Sequence, residues 1–413
     1  MVAELADFLQ IVPWPPAPGV AFWAALALVA GALLGELVRR VFSVPRIVGY
    51  GIVGGVIGFA GFGAGTLTGT ARLIVDLALA LLLFELGSRV NLRWLRANPA
   101  LLLTSAAEAL GSFVAIYFAL RLFGQPVNVA LTCAAMGSCA SGAVIARVAG
   151  ELKAAGQVSE RMIVLTSLNT LFAVLAFKLV SGWLHLDVAG DWVRAVSQPL
   201  WAFAGSVGVA ALLAALVAWI ARRLDLRDEN AALLLLGLVV LALMVAKQFN
   251  LSTLLVPLLA GVLLRNSSER PWVWPRHFGT AGGVLVLMLF VIVGSAGSVP
   301  ALLAGGVTAL VLLAARAAAK TAVVVVLARP SGLRMRQALG LSLALTPMSG
   351  TALVLLADLQ AGHAAFAPLV APIIVSAIAF TEVLGPLLVQ WGLHLAGEQQ
   401  PQAKPADYRV VTA

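Results

Sequence analysis

The chain has 413 residues, 61% of them apolar and only 11% charged, with a mean hydropathy of +1.01. No water-soluble core has that composition. It belongs to a polytopic membrane protein whose residues lie mostly in spans, with no long polar stretch for a soluble catalytic or regulatory domain. The 27 Lys and Arg against 18 Asp and Glu sit at the ends of apolar segments, where they set orientation rather than bind nucleic acid.

Residues 1–19 place acidic groups before an apolar stretch and lack a basic leader, so they read as an extracytoplasmic arm, not a cleaved signal peptide. Apolar runs able to span a bilayer follow in order: Val20–Arg39, Pro45–Phe59, Ala71–Arg89, Pro99–Leu120, Val127–Ala149, Arg161–Leu186 and Pro199–Ile220. The remaining runs are Asn230–Lys247, Ser252–Leu264, Gly282–Gly297, Pro300–Leu327, Met335–Leu359 and Ala364–Leu395. The expected fold is therefore an all-α polytopic membrane domain over residues 20–395, with about thirteen transmembrane helices. Residues 396–413 are polar and Pro-containing and are expected to form a disordered tail.

Basic residues cluster on alternate connections: Arg39, Arg40 and Arg46; Arg89, Arg93 and Arg96; Arg147, Lys153 and Arg161; Arg222, Arg223 and Arg227; Arg265, Arg270 and Arg276; Arg329, Arg334 and Arg336. The intervening connections hold one base or none. The positive-inside rule makes the rich loops cytoplasmic, with the N-terminus outside and the C-terminus inside an inner or plasma membrane.

Two spans carry polar interruptions, the fifth at Ser138-Cys139-Ala140-Ser141-Gly142 and the twelfth at Thr346-Pro347-Met348-Ser349-Gly350-Thr351. Irregular backbone at membrane depth is tolerated only against protein or a water-filled cavity. An odd and an even span cross in opposite directions. The pair thus predicts inverted-topology repeats with two crossing broken helices, the usual place of a secondary transporter's site. Close packing through small residues is the alternative use of Gly and Ser here.

Ionisable groups in mid-span are functional candidates. Lys320 lies well inside Pro300–Leu327, one turn after Arg316 and on the same face. Glu108 lies midway through Pro99–Leu120, with Thr104 and Ser105 one turn before it. Thr166, Ser167, Asn169 and Thr170 cluster in the sixth span, where their oxygens suit a dehydrated monovalent cation or hydrogen bonds between helices. Glu85, Asp358 and Glu382 read as structural, Asp76 and Glu36 as interfacial, and Lys178 as a snorkelling residue near a span end. Cys133 and Cys139 read as small packing residues. No Walker loop, zinc spacing or nucleophile elbow is present in the sequence, so no enzyme, cofactor or metal is expected.

Further stretches carry a resemblance: Val44-Pro45-Arg46-Ile47-Val48-Gly49-Tyr50 leading to Gly54-Gly55, Leu81-Leu82-Leu83-Phe84-Glu85-Leu86-Gly87, and Leu259-Ala260-Gly261-Val262-Leu263-Leu264. So do Phe290-Val291-Ile292-Val293-Gly294 and Thr381-Glu382-Val383-Leu384-Gly385-Pro386. In their order and spacing the chain resembles the monovalent cation:proton antiporter-2 family from about Val20 to Leu395. The resemblance implies a homodimer with dimerisation and core subdomains, crossing of the two broken spans, and a role for Lys320 opposite an acidic residue of the sixth span. The family's mid-sixth-span Asp is missing: the region reads Ser167-Leu168-Asn169-Thr170-Leu171, leaving Asn169 as the neutral partner. The reading is a monovalent cation (sodium or potassium):proton antiporter working by alternating access in the lipid bilayer. Lys320 and Glu108 would replace the usual carboxylate in charge handling. Asn169, Thr170, Ser141, Gly142, Ser349, Gly350 and Thr351 would supply oxygens and helix-end dipoles. A carrier for an organic anion, drawn by a net positive cavity around Lys320, is the first alternative. A membrane sensor without transport is the second.

Overall fold

The computed structural model of the chain describes residues 20–62, 67–190, 192–223, 229–267, 278–348 and 350–399. Every regular element among them is helical. The expectations for the arm at 1–19 and for Ser349 lie outside the described residues, as does most of the tail. The first helices are α1 (Val20–Phe42), α2 (Arg46–Ile57), α3 (Gly69–Ser88), a short α4 (Leu92–Ala97) and α5 (Pro99–Leu122). The fifth span is two half-helices, α6 (Val127–Gly137) and α7 (Gly142–Glu151). Then come α8 (Gln157–Ala189), α9 (Trp192–Arg223), α10 (Glu229–Gln248), α11 (Leu255–Ser267), α12 (Phe278–Ser295) and α13 (Val299–Val326). The twelfth span is again split, into α14 (Met335–Ala344) and α15 (Gly350–Gly362), and α16 (Ala367–Ala396) ends the fold.

Among the described residues seven helical segments are long and apolar enough to cross a membrane, counting α6 and α7 together as Val127–Glu151, and five shorter apolar helices accompany them. Exposed Leu, Val, Phe and Trp cover their outer faces, as a lipid-facing surface requires.

Helix ends follow local chemistry. Ser298 begins α13 by accepting from the Ala301 N–H (3.3 Å), with Pro300 in the first turn, where its missing N–H costs nothing. Asn91 does the same for α4, a short surface helix that the span pattern did not announce. The start of the tail is ordered, contrary to expectation: the Glu398 carboxylate accepts from the Val158 and Ser159 N–H groups (2.7 Å each) and caps α8.

The helices form two groups. In the first, α2 packs on α1 and α12, and α3 packs on α10, α11 and α12. In the second, α5 packs on α6, α8 and α13, while α16 packs on α13 and α14. The long α9 leans on α8 and α11. This grouping accounts for the glycines in the resembling stretches. A Cβ on Gly87 would collide with the α11 backbone at Leu258, and one on Gly261 with the α3 backbone at Phe84. Gly54 and Gly294 make the same backbone contact between α2 and α12.

Candidate functional site

The two breaks meet. The Ser141 N–H, at the first break, donates to the Pro347 carbonyl at the second (2.9 Å). Ser141 also starts α7, its hydroxyl accepting from the Val144 N–H at 3.4 Å. Both half-helices α6 and α14 end here, leaving carbonyls with no helical donor and a partial negative charge at each end. Arg316, fully buried in α13, satisfies them. Its guanidinium donates to the Gly137 carbonyl, to Leu345 and Pro347 (both 3.1 Å) and to Thr346 (3.0 Å). One planar fork therefore ties both breaks together. Sequence reasoning placed Arg316 on the Lys320 face and gave it no role. A second base in mid-span was the available signal.

One turn along α13, Lys320 pairs with Glu108 of α5, and both are 0% exposed. The other Glu108 oxygen accepts from Asn169 Nδ2 of α8 at 2.5 Å. The structure thus joins three expected site residues from three helices. Four fully or almost fully buried oxygens around them have no hydrogen-bond partner among the described residues: Ser105 Oγ, Ser112 Oγ, Thr166 Oγ1 and Asn169 Oδ1. Ser105, Glu108 and Ser112 recur at the three- and four-residue spacing of one helix face. Buried polar atoms normally find partners, so this many at one place calls for an explanation. Thr166 stands beside Gly142, linking the cluster to the first break.

The other expected residues lie apart from the ion pair. The Thr170 hydroxyl donates to the Thr166 carbonyl (3.0 Å). Gly350 and Thr351 open α15 and are buried, with no bond to Glu108 or Lys320. Cys133 and Cys139 are buried and free, in line with packing.

One expectation changes. Lys320 is not an unbalanced charge, because Glu108 pairs with it, while Arg316 keeps its own charge against the carbonyls of the breaks. The bare Lys320 on which an anion carrier was premised is therefore absent. Asp76 is 2% exposed and ion-paired with Lys247 of α10 at 2.6 Å.

A cavity of about 680 Å³ opens between the groups, lined among others by Arg72, Phe177, Lys178, Lys247, Asp358 and His363. Arg72 of α3 crosses it to bond Asp358 of α15, which Lys178 also approaches (3.7 Å). Phe177 lies eight residues beyond Asn169 on α8, roughly 12 Å along the helix.

Crossed, broken helices with a buried ion pair beside them define a secondary transporter of the inverted-repeat kind. A family model described as "Sodium/hydrogen exchanger, transmembrane" matches residues 24–393. The chain belongs to the sodium/hydrogen exchanger family, a family of cation:proton antiporters. It is similar in fold to the sodium proton antiporter MjNhaP1 from Methanocaldococcus jannaschii at pH 8, with a TM-score of 0.68 and 15% identity, over 91% of this chain and 97% of that one. An electron-microscopy structure of MjNhaP1 gives a TM-score of 0.70 at 16% identity, over 93% and 98% of the two chains. At that identity the likeness speaks for the fold alone. No match was found among curated protein sequences.

Proposed function

We propose that this antiporter binds its cation at Glu108 in exchange for a proton carried by Lys320, the competing counter-charge. The observation that carries the reading is the buried Glu108–Lys320 pair, braced by Asn169 and surrounded by four unpartnered oxygens. A dehydrated monovalent cation needs several oxygen ligands. Glu108 would supply the charge, and Ser105, Ser112, Thr166 and Asn169 the neutral oxygens. As the cation takes the carboxylate, the Lys320 ammonium loses its partner, its N–H bond breaks, and the proton leaves to water as the site opens. When the cation departs, water returns a proton to Lys320 and the pair re-forms. One cation thus trades for one proton.

Alternating access would move the second helix group, which holds the pair and both breaks, against the first. The finer assignment to the cation:proton antiporter-2 branch, a homodimer formed through the first group, and an extracytoplasmic N-terminus belong to the same reading. The stretch motifs and the alternation of basic loops support them.

The test is antiport in liposomes holding the purified protein. Sodium, potassium or lithium added outside should dissipate an imposed proton gradient. Glu108→Gln, which removes the cation's charge partner, and Lys320→Ala, which removes the proton carrier, should each abolish the exchange. Wild-type rates in Glu108→Gln would defeat the assignment, and silence of all three cations from pH 6 to 9 would remove monovalent cations as the substrate.

A further inference from the structure

Helices α2 and α16 belong to different groups and meet along a seam. Midway along α16, Glu382 faces Gly51 of α2, and a Cβ on residue 51 would stand 3.1 Å from Glu382 Cγ. The bare glycine is what leaves room for the acidic side chain. Glu382 is 1% exposed, and neither carboxylate oxygen has a hydrogen-bond partner among the described residues. The backbone adds a third oxygen. Pro386, four residues on, has no N–H to give the Glu382 carbonyl, and that carbonyl also faces Gly51, 3.4 Å from the same Cβ position.

The titratable groups on the neighbouring helices are engaged elsewhere. On α2, Arg46 bonds Glu36 and Glu151, and Tyr50 packs on Gly35. On α7, Arg147 donates to the Gly282 carbonyl and Glu151 accepts from Arg46. On α13, Arg316 holds the breaks and Lys320 holds Glu108. Cys133 of α6 is buried in the core cluster, Arg336 of α14 and His394 of α16 are exposed, and Asp358 of α15 pairs with Arg72. On α8, Arg161 donates to the Ser331 carbonyl, Lys178 approaches Asp358, and His185 stacks on His363. Among the described residues no base pairs with Glu382. A carboxylate stripped of water, donors and counter-charge neutralises itself by taking up a proton.

We infer that Glu382 is a second proton-binding residue of the antiporter, protonated while the α2–α16 seam is closed and releasing its proton when the seam opens. On opening, the carboxyl O–H bond breaks, the proton passes to water, and the hydrated carboxylate must recover a proton before the seam can close. The seat is joined to the breaks. Thr381, the preceding residue, is within hydrogen-bond reach of the Met348 carbonyl, and Gly385, one turn on, packs on Pro347. These contacts are the route by which protonation in the seam would couple to movement at the breaks. The opening step rests on the alternating-access reading given above; the proton on Glu382 does not.

Infrared spectra of the purified full chain separate the two. The wild-type minus Glu382→Gln difference at neutral pH should contain the carbonyl stretch of a buried protonated carboxylic acid, and its absence would overturn the inference. Glutamine mimics the neutral acid, so this variant should fold with wild-type yield. Gly51→Ala, which crowds the carboxyl, should shift the same band in an otherwise native chain. A band that Gly51→Ala leaves in place would put the acid elsewhere. Adding the transported cation should bleach the band and let it exchange in heavy water. A band untouched by cation in a preparation that transports would refute the coupling to seam opening. The band itself would survive failure of the Glu108 assignment, so the two readings fall separately.

Discussion

Replacing Lys320 by methionine leaves the Glu108 carboxylate buried with only the Asn169 amide beside it. Both members of the pair are fully buried, so solvent cannot screen the loss. Removing one partner from such a pair costs about 3–5 kcal/mol, whereas replacing both by neutral groups of similar volume is near neutral. Lys320→Met and Glu108→Gln should each lower stability by up to about that amount, less where the lone partner neutralises itself, Glu108 by taking up a proton and Lys320 by shedding one. The double variant should recover most of the loss, giving a coupling energy of roughly 3 kcal/mol, far above the 0.3–0.5 kcal/mol scatter of independent sites. Reversible unfolding in mixed micelles across the four-member cycle reads this directly. Two single losses that simply add in the double variant would refute the pairing. Restored stability should come without restored antiport, since the double variant has no charge left to exchange.

Arg316→Leu strips both breaks of a donor set that serves four carbonyls. At about 1.5–3 kcal/mol for each hydrogen bond to a charged group, it should fail to yield folded protein. Arg316→Lys, a point charge without the fork, should fold with a lowered thermal midpoint, and wild-type stability in that variant would contradict the clamp. His363, in the turn between α15 and α16, is held below its ordinary value by burial first and by the adjacent His185 second (ring centroids 4.5 Å apart), against an opposing hydrogen bond to the Ser181 backbone. The unfolded chain then binds the extra proton, so stability should fall as pH drops through about 6.5 and continue falling to the lower folded value. His363→Gln should flatten that part of the melting profile, and parallel profiles would refute it.

The breaks and Lys320 were legible because Pro, Gly, Ser and a charge inside apolar runs conflict with a plain span. The partner of Lys320 was only half legible. Glu108 stood out as a mid-span carboxylate, but it lies 212 positions away, and only the packing of α5 on α13 makes the two a pair. Arg316 was harder still. One turn separates it from Lys320, so periodicity gives both the same face, while the half-helix ends that claim it exist only once α6 and α14 have met. The partner of Asp76 was illegible for a similar reason, since Lys247 reaches it only through the packing of α10. The short α4 escaped because six residues carry no span signal. Glu382 read as structural from its position, and the glycine that makes its seat lies more than three hundred residues earlier.

The lack of an acidic residue in the sixth span becomes understandable once α5 is seen between its neighbours. It packs on α13 and on α8 at once, so a carboxylate at residue 108 reaches Lys320 on one side and Asn169 on the other. A dry lysine demands one counter-charge and tolerates its coming from either helix. Two carboxylates would be another matter. An aspartate at residue 169 would stand against Glu108, where its amide now donates at 2.5 Å, and like charges at that range cannot both stay ionised. An acid on both helices would leave one of the two protonated beside the single Lys320. Holding the charge on α5 also requires a neutral donor on α8, and that is the role Asn169 fills.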